Sequence, residues 1–551
     1  MIEVEVHQQL RAFLRAAQSE RSWAHHLTMA RLVARAMRLR RSAILQTGTA
    51  MGCDRHRLSY LAPALLWPEP VVIVAPEAVQ QRLRQVELPK LQDWLQTLPH
   101  WQPKPIHLWP DSPSFSHGFS GTDRAIAPHG LLLIAPQQWL QDAFSPVRRL
   151  AGLATVIDGA DDLEQWCRDW LTKTLTPRDW DDLMLARPDA ANPIRDRRVA
   201  LTHSLFQRPA NPYHCCALDP GDRQILLDLL THLEETGPLP GPWRAFAPTL
   251  TRDGWIPMAE TDRRTGLFRL TASPVTVADR LAPLWPQQPV VLIGPVLDPD
   301  PEAATFKERI GFEDHDQDRD LRSDQDFNQD RDRATCLKFL PDRHSDSLQL
   351  YLPEHLPFPN TPHFQRALLQ QIHALLGLYG NHPTGGGFTV ILVGDVPLKA
   401  QVGSHLAAEF GRRVRVEETC PEDNGILVTG WEFWRDRQRH LPVPTLLIIT
   451  ALPIPSLEDP RVAARVDNYK RHRRDWFRLY LLPTALSELQ RAVAPMRAGD
   501  RDSPGDRRSL IALLDTRVVR RSYGQQVLGA LSPIARTSYL DPHWLFPTPG
   551  P

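Results

Sequence analysis

The sequence predicts an α/β protein built on two separate parallel sheets, with a helical segment inserted into the first. Short apolar runs flanked by turn residues recur along the chain with helix-like segments between them, the pattern of βαβ units. That pattern stops between Glu164 and Trp255, where stretches such as DRQILLDLLTHLEE carry helical amphipathic spacing instead. At 551 residues the chain exceeds what one core serves, so two to four domains are expected.

The elements follow in order. The opening MIEVEVHQQLRAFLRAAQ has early acids and helical spacing of Leu10, Phe13 and Leu14, which reads as a helix and not as a signal peptide. Strands are expected at Ala43 to Gln46, Val71 to Ala75, Leu131 to Ala135, Thr155 to Ile157 and Val290 to Gly294. A second set is expected at Thr389 to Val393, Ile426 to Thr429, Leu446 to Thr450 and Leu510 to Leu514. The first sheet therefore spans 1–163, an insertion occupies 164–254, and 255–312 returns to complete that sheet. Residues 313–335 contain the tract DHDQDRDLRSDQDFNQDRDR, whose charges nearly cancel and which reads as a solvated, disordered loop. The second sheet takes 336–551.

Composition narrows the setting. The chain is 42% hydrophobic and 23% charged with a formal net charge of zero, so no global basic field announces a nucleic-acid partner, although local grooves can still be basic. Six cysteines are scattered without a C-x-x-C pair, which suggests neither a zinc site nor a disulfide framework. A reduced, cytoplasmic setting is expected, without a membrane span. Pro, at 52 residues, is about twice its usual share. Basic residues are almost all Arg, with Lys only at positions 90, 104, 173, 307, 338, 399 and 470.

Three stretches invite chemistry. Leu153 to Leu163, LATVIDGADDL, has the shape of a Walker B strand, with Asp158 placed to hold magnesium beyond the strand end. Residues 46–54, QTGTAMGCD, follow a strand, and Gly48, Thr49 and Gly52 form a candidate phosphate turn. Residues 477–497, FRLYLLPTALSELQRAVAPMR, read as a helix.

The order of these segments resembles the DinG/XPD family of superfamily-two DNA helicases over nearly the whole chain. Residues 446–465, LLIITALPIPSLEDPRVAAR, are similar to the family's IIxKLPFPxPxDPxxxAR; residues 477–497 to its helix ending QGxGRxIR; and residues 509–524, SLIALLDTRVVRRSYG, to its closing strand with DxR and YG. His25 to Met37, Val71 to Leu83, Val290 to Leu297 and Gly430 to Asp436 resemble further family segments. The resemblance implies two RecA-like domains with an arch-like helical insertion in the first, and ATP-dependent translocation on single-stranded DNA.

It also identifies what is missing. Such a hydrolase positions phosphates with a loop Lys, holds magnesium with Ser/Thr and a Walker B Asp, orients water with a carboxylate and stabilises charge with an Arg. Aligned without a gap, the Lys and Ser/Thr positions are Cys53 and Asp54; with a three-residue slip they are His56 and Arg57. Neither restores Lys, and Arg57 is the remaining candidate for a phosphate charge. The Walker B Glu is Gly159. In the arginine helix Gln490 and Arg497 are kept, Ala494 replaces the finger Arg, and Arg491 and Val493 replace glycines. Loss of a finger Arg alone is worth roughly 10³ to 10⁵ in rate. No Cys lies between Cys53 and Cys167, where the family carries its iron–sulfur ligands, so no cluster is expected.

The expected protein is a family member that binds single-stranded DNA or another nucleic acid, with ATP and magnesium use weakened or lost. Remnant catalytic positions are Asp158, Gln490 and Arg497. Gln80 and Trp434 are candidate nucleic-acid contacts, with core packing as the alternative for Trp434. An active helicase using Arg57, Asp158 and Arg497 in unusual roles, and a scaffold that meets a protein partner without nucleic acid, are the competing readings.

Overall fold

A computed structural model describes residues 2–17, 23–48, 55–98, 101–109, 130–312, 334–339, 348–380, 387–419, 424–498 and 509–540. The first part of the chain forms strands β1 (Ala43–Gln46), β2 (Val71–Val74), β3 (Ile106–Leu108), β4 (Leu131–Ile134) and β5 (Ala154–Asp158). An insertion follows with β6 (Lys173–Leu175), β7 (Cys215–Ala217), β8 (Trp255–Asp262) and β9 (Leu267–Pro274). The chain then returns as β10 (Val290–Gly294) and β11 (Thr335–Lys338).

The first sheet has the order β11-β1-β10-β5-β2-β4-β3, and its pairs are parallel. Helices cover both faces, which is why its strands read as unbroken apolar runs. Val71 and Ile73 point into one packed layer, Val72 and Val74 into the other. The five strands expected here are present, and β10 lies between β1 and β5 although it comes after the insertion in sequence.

The second domain carries β12 (Leu348–Tyr351), β13 (Thr389–Leu392), β14 (Val414–Val416), β15 (Ile426–Thr429), β16 (Leu446–Ile449), β17 (Ser509–Leu513) and β18 (Ala535–Thr537). Its order is β14-β15-β13-β16-β17-β12-β18, again parallel and again packed on both faces.

Two boundaries shift from the sequence expectation. The insertion is not helical alone: β6, β9, β8 and β7 form a four-stranded antiparallel sheet that packs with helices such as Pro177–Ala186, Ala191–Gln207 and Pro220–Thr236 around its own core, including Trp180, Trp243 and Phe246. The hairpin Trp255–Pro274, expected to return to the first sheet, belongs to the insertion, because its partners are β6 and β7. At the other boundary, Thr335–Lys338 pairs with β1 and so closes the first sheet instead of opening the second. The Asp/Gln/Arg-rich tract, expected to be a loop, lies outside the described residues up to position 333.

Candidate functional site

β5 is the middle strand of the first sheet, between β10 and β2, so Asp158 at its carboxyl end enters the crevice beyond the strand ends. The segment 55–60, which follows the candidate phosphate turn in sequence, meets it there. Arg55–Arg57 form a tight turn that runs into the helix Leu58–Leu66. His56 Nε2 lies 3.2 Å from Asp158 Oδ1, while Oδ2 accepts from Arg57 Nε at 2.9 Å and from the Tyr60 hydroxyl at 2.9 Å. Asp158, His56, Arg57 and Tyr60 are all buried. Glu87 Oε1 stands 4.0 Å from Arg57 Nη1 on the far side.

Burial alone would raise the Asp158 pKa, but the hydrogen bond and charge of His56 and the Arg57 guanidinium hold it well below its ordinary 3.8. Burial, with the Asp158 charge behind it, pushes the Tyr60 hydroxyl well above 10, so it stays a phenol and donates. A magnesium ion requires carboxylate oxygens with an open face. Asp158 has both oxygens engaged by a ring nitrogen, a guanidinium and a phenol, so the residues in this arrangement do not fit the ion.

The neighbouring positions follow from backbone geometry. Gly48 leaves β1 with φ +73°, and a Cβ there would stand 3.1 Å from the Phe339 carbonyl oxygen. Thr49 and Gly52 lie outside the described residues. Gly159 has φ +91°, and a Cβ would lie 3.3 Å from Trp166 Cη2. A glutamate at the Walker B position would therefore need a left-handed backbone that L-residues disfavour and a shift of the indole beneath it.

From Gly159 the chain makes one 3₁₀ turn, Ala160–Asp162, which presents two carboxylates to the second domain. The helix Leu482–Ala498 answers with Arg491: its Nη2 donates to Asp161 Oδ2 at 2.6 Å and lies 2.9 Å from Asp162 Oδ1. Burial, Asp161, Asp162 and Glu488 all act on this guanidinium, and the three carboxylates prevail and raise its pKa. Asp161 is pushed up to about 6, by burial first and by Asp162, against the pull of Arg491.

The other positions singled out in the sequence turn inward. Gln490 Nε2 donates to the Ala530 carbonyl at 2.8 Å, and Arg497 Nη2 to the Leu531 carbonyl at 2.5 Å, so both hold the C-terminal helix Gly524–Ala530 of their own domain. Burial lowers the Arg497 pKa to about 10. Trp434 is 1% exposed and its indole donates to the Ala492 carbonyl at 3.1 Å. No face of it is open to a base, so the packing alternative holds. Gln80 is buried, and its amide donates to the Ala75 carbonyl at 2.8 Å at the end of β2.

Sequence reasoning missed four participants. Tyr60 gave no signal beyond lying on the helix after the loop. Arg491 was visible only as a replaced glycine, and Asp161 only as the last letter of DGAD. Glu164, half-buried one turn further on, takes Arg168 at 2.5 Å, Arg309 Nε at 2.6 Å and Arg465 of the second domain at 3.6 Å. Burial would raise its pKa, but Arg309, Arg168 and Arg465 hold it well below the ordinary carboxylate range.

Two parallel α/β domains, a carboxylate at the end of the middle strand of the first and an arginine-bearing helix facing it from the second make up a fold of two RecA-like domains. No family model matches the chain. It is 26% identical over 276 residues to the ATP-dependent DNA helicase YoaA of Escherichia coli (strain K12), covering 49% of this chain and 40% of that protein. It is 25% identical over 143 residues to the YoaA helicase of Haemophilus influenzae, covering 26% of this chain and 22% of that protein. The matches thus span less than half the length of these curated relatives. In fold it is similar to S. tokodaii Xpd4, with a TM-score of 0.55 at 11% identity over 94% of this chain and 100% of that one. It is also similar to an XPD helicase, with a TM-score of 0.56 at 12% identity and the same coverage. The chain is DinG/XPD-like in its sequence resemblance and in its fold. Among the described residues, no helix is long and apolar enough to cross a membrane.

Proposed function

We propose that this chain is a DinG/XPD-like helicase homologue that binds nucleic acid, single-stranded DNA in the first instance, with little or no ATP hydrolysis. One observation carries the reading: Asp158, the carboxylate that ends β5, already has both oxygens taken, Oδ2 by the Arg57 guanidinium and the Tyr60 hydroxyl and Oδ1 by the His56 ring. A carboxylate whose oxygens are bonded to a buried guanidinium, a phenol and an imidazole is a poor metal ligand, because an ion could reach it only by displacing those bonds and leaving buried donors unsatisfied. The absence of a loop Lys, of the Walker B Glu and of the finger Arg acts in the same direction. Phosphate contacts by Arg, Ser, Thr and backbone amides survive such losses, since they need no magnesium.

A nucleotide titration with and without magnesium, run beside a DNA-stimulated ATPase assay and a salt series of single-strand binding, tests it. The expected outcome is salt-dependent DNA binding without magnesium-dependent nucleotide affinity or turnover. Turnover at ordinary helicase rates that disappears in Asp158→Ala would establish the active helicase that the relatives' names describe. Absence of any DNA binding would leave a protein-binding scaffold.

A further inference from the structure

The geometry points to an internal clamp: Arg491 of the second domain grips Asp161 and Asp162 of the first, so the chain's own carboxylates hold the two α/β domains together in place of a bound nucleotide. This rests on the reading that the cleft no longer works as an ATPase. In nucleotide hydrolases of this build an arginine meets the charge of a transferring phosphate. Here the helix that would carry that arginine has Ala494 at its position, and Arg491, one turn earlier, reaches across to the 3₁₀ turn after β5.

The contact is built and not incidental. Arg491 is 15% exposed at its side chain and Asp161 7%. Glu488, one turn back, stands 3.7 Å from Arg491 Nη1 and is itself 3.3 Å from Arg435 Nη1. Gly294 at the end of β10 leaves the space that Asp161 fills: a Cβ there would come within 2.8 Å of the Asp161 Oδ1 and 3.1 Å of its backbone nitrogen. Further along the same seam, Arg465 joins the Glu164 cluster at 3.6 Å and Arg474 pairs with Glu308. Ala464, on the helix Pro460–Arg471, packs against Ile256, Met258 and Val275 of the insertion. Two opposite surfaces are thus matched in charge at three places, with negative groups on the first domain and arginines on the second.

A nucleotide-driven cleft opens when the phosphate leaves. A clamp whose anion is covalently part of the chain does not, and only removal of a charge opens it.

Hydrogen–deuterium exchange on the full chain tests this. In the wild type the segments 160–168 and 460–494 are expected to exchange alike with and without magnesium and ATP. Arg491→Glu is expected to speed exchange in both segments about tenfold or more, since one charge-assisted bond is worth that much in an opening equilibrium. Strands β2 and β13 should stay unchanged. Adding Asp162→Arg to Arg491→Glu should restore protection, and Arg491→Lys, which keeps the charge but loses the fork, should lie between. Wild-type protection at the seam that changes with magnesium and ATP, or an Arg491→Glu seam as protected as the wild type, overturns the clamp. If Arg491→Glu does not fold, Arg491→Lys decides in the same way. The two proposals fail separately: ATP turnover with an unresponsive seam removes the functional reading, and a responsive seam without turnover removes the clamp.

Discussion

Asp158 ends β5 and Asp161 lies three positions on, in the turn that follows, and both are bonded to arginine, yet their surroundings push them in opposite directions. Asp158 is served by three donors from one local segment, and its pKa is held well below the ordinary value despite burial. Asp161 shares a single guanidinium with Asp162 and Glu488, and burial carries its pKa up to about 6. What differs is the number of donors that serve each carboxylate. A buried acid is at ease as an anion when donors outnumber it, and strained when acids outnumber the donor. The first cluster closes a domain on itself; the second is a cross-domain contact whose charges are unequal.

The largest expected effect breaks the first cluster. Asp158→Ala leaves Arg57 buried without its main counter-charge and should cost about 3 to 5 kcal/mol, read as a lower urea midpoint. A loss below ~1 kcal/mol would mean that the cluster adds little beyond its packing.

Arg491→Ala acts on the second cluster and should cost less, about 1.5 to 3 kcal/mol for lost charge-assisted bonds, because Asp162 is half-exposed and keeps its solvent. Urea curves that stay single and steep would show the domains unfolding together; a split curve would show that the seam couples them.

Gly159→Glu, which writes the family's Walker B residue back into the sequence, should cost about 1 to 2 kcal/mol for the left-handed backbone and yield no ATP turnover. Turnover gained from that single change would contradict the account of Asp158.

The smallest effect is the sharpest. Asp158 has a lowered folded pKa, so its stabilising contribution is present above its ordinary value of 3.8 and is lost as pH falls through and below it. Asp161 has a raised folded pKa, so its contribution is present below 3.8 and is lost as pH rises through about 6. Stability relative to Asp158→Asn should therefore rise with pH across the acid range, and stability relative to Asp161→Asn should fall between about pH 4 and 6. Parallel slopes in the two thermal-shift series would erase the comparison.

Both parallel sheets were legible in the sequence because strands buried on both faces show up as unbroken apolar runs, as VVIV and LLII do. The insertion's sheet was not. WIPMAETD and LFRLTASP form a hairpin that mixes polar and apolar residues, and its outer partners, Lys173–Leu175 and Cys215–Ala217, are three residues each and far apart in sequence. In the site, the slipped alignment brings His56 and Arg57 to the phosphate loop but assigns Arg57 to a phosphate, whereas its guanidinium is bonded to Asp158. The Arg491–Asp161 bond could not be anticipated: it joins residues 330 positions apart, and nothing in either local pattern names the other. Gln490 and Arg497 matched a motif letter for letter, yet their bonds depend on where the helix Gly524–Ala530 packs, which the motif does not encode.

The indole of Trp166 beneath Gly159 sets an order of operations for anyone rebuilding a hydrolase on this scaffold. A catalytic glutamate enters only if that ring gives way by a few tenths of an ångström, and the ring belongs to the first turn of the helix Leu163–Leu171, from which Glu164 gathers its arginines. Installing the water-orienting acid therefore presses on the turn that carries Glu164 and its Arg465 contact with the second domain, so the joint feels the change before any lysine or finger arginine is added.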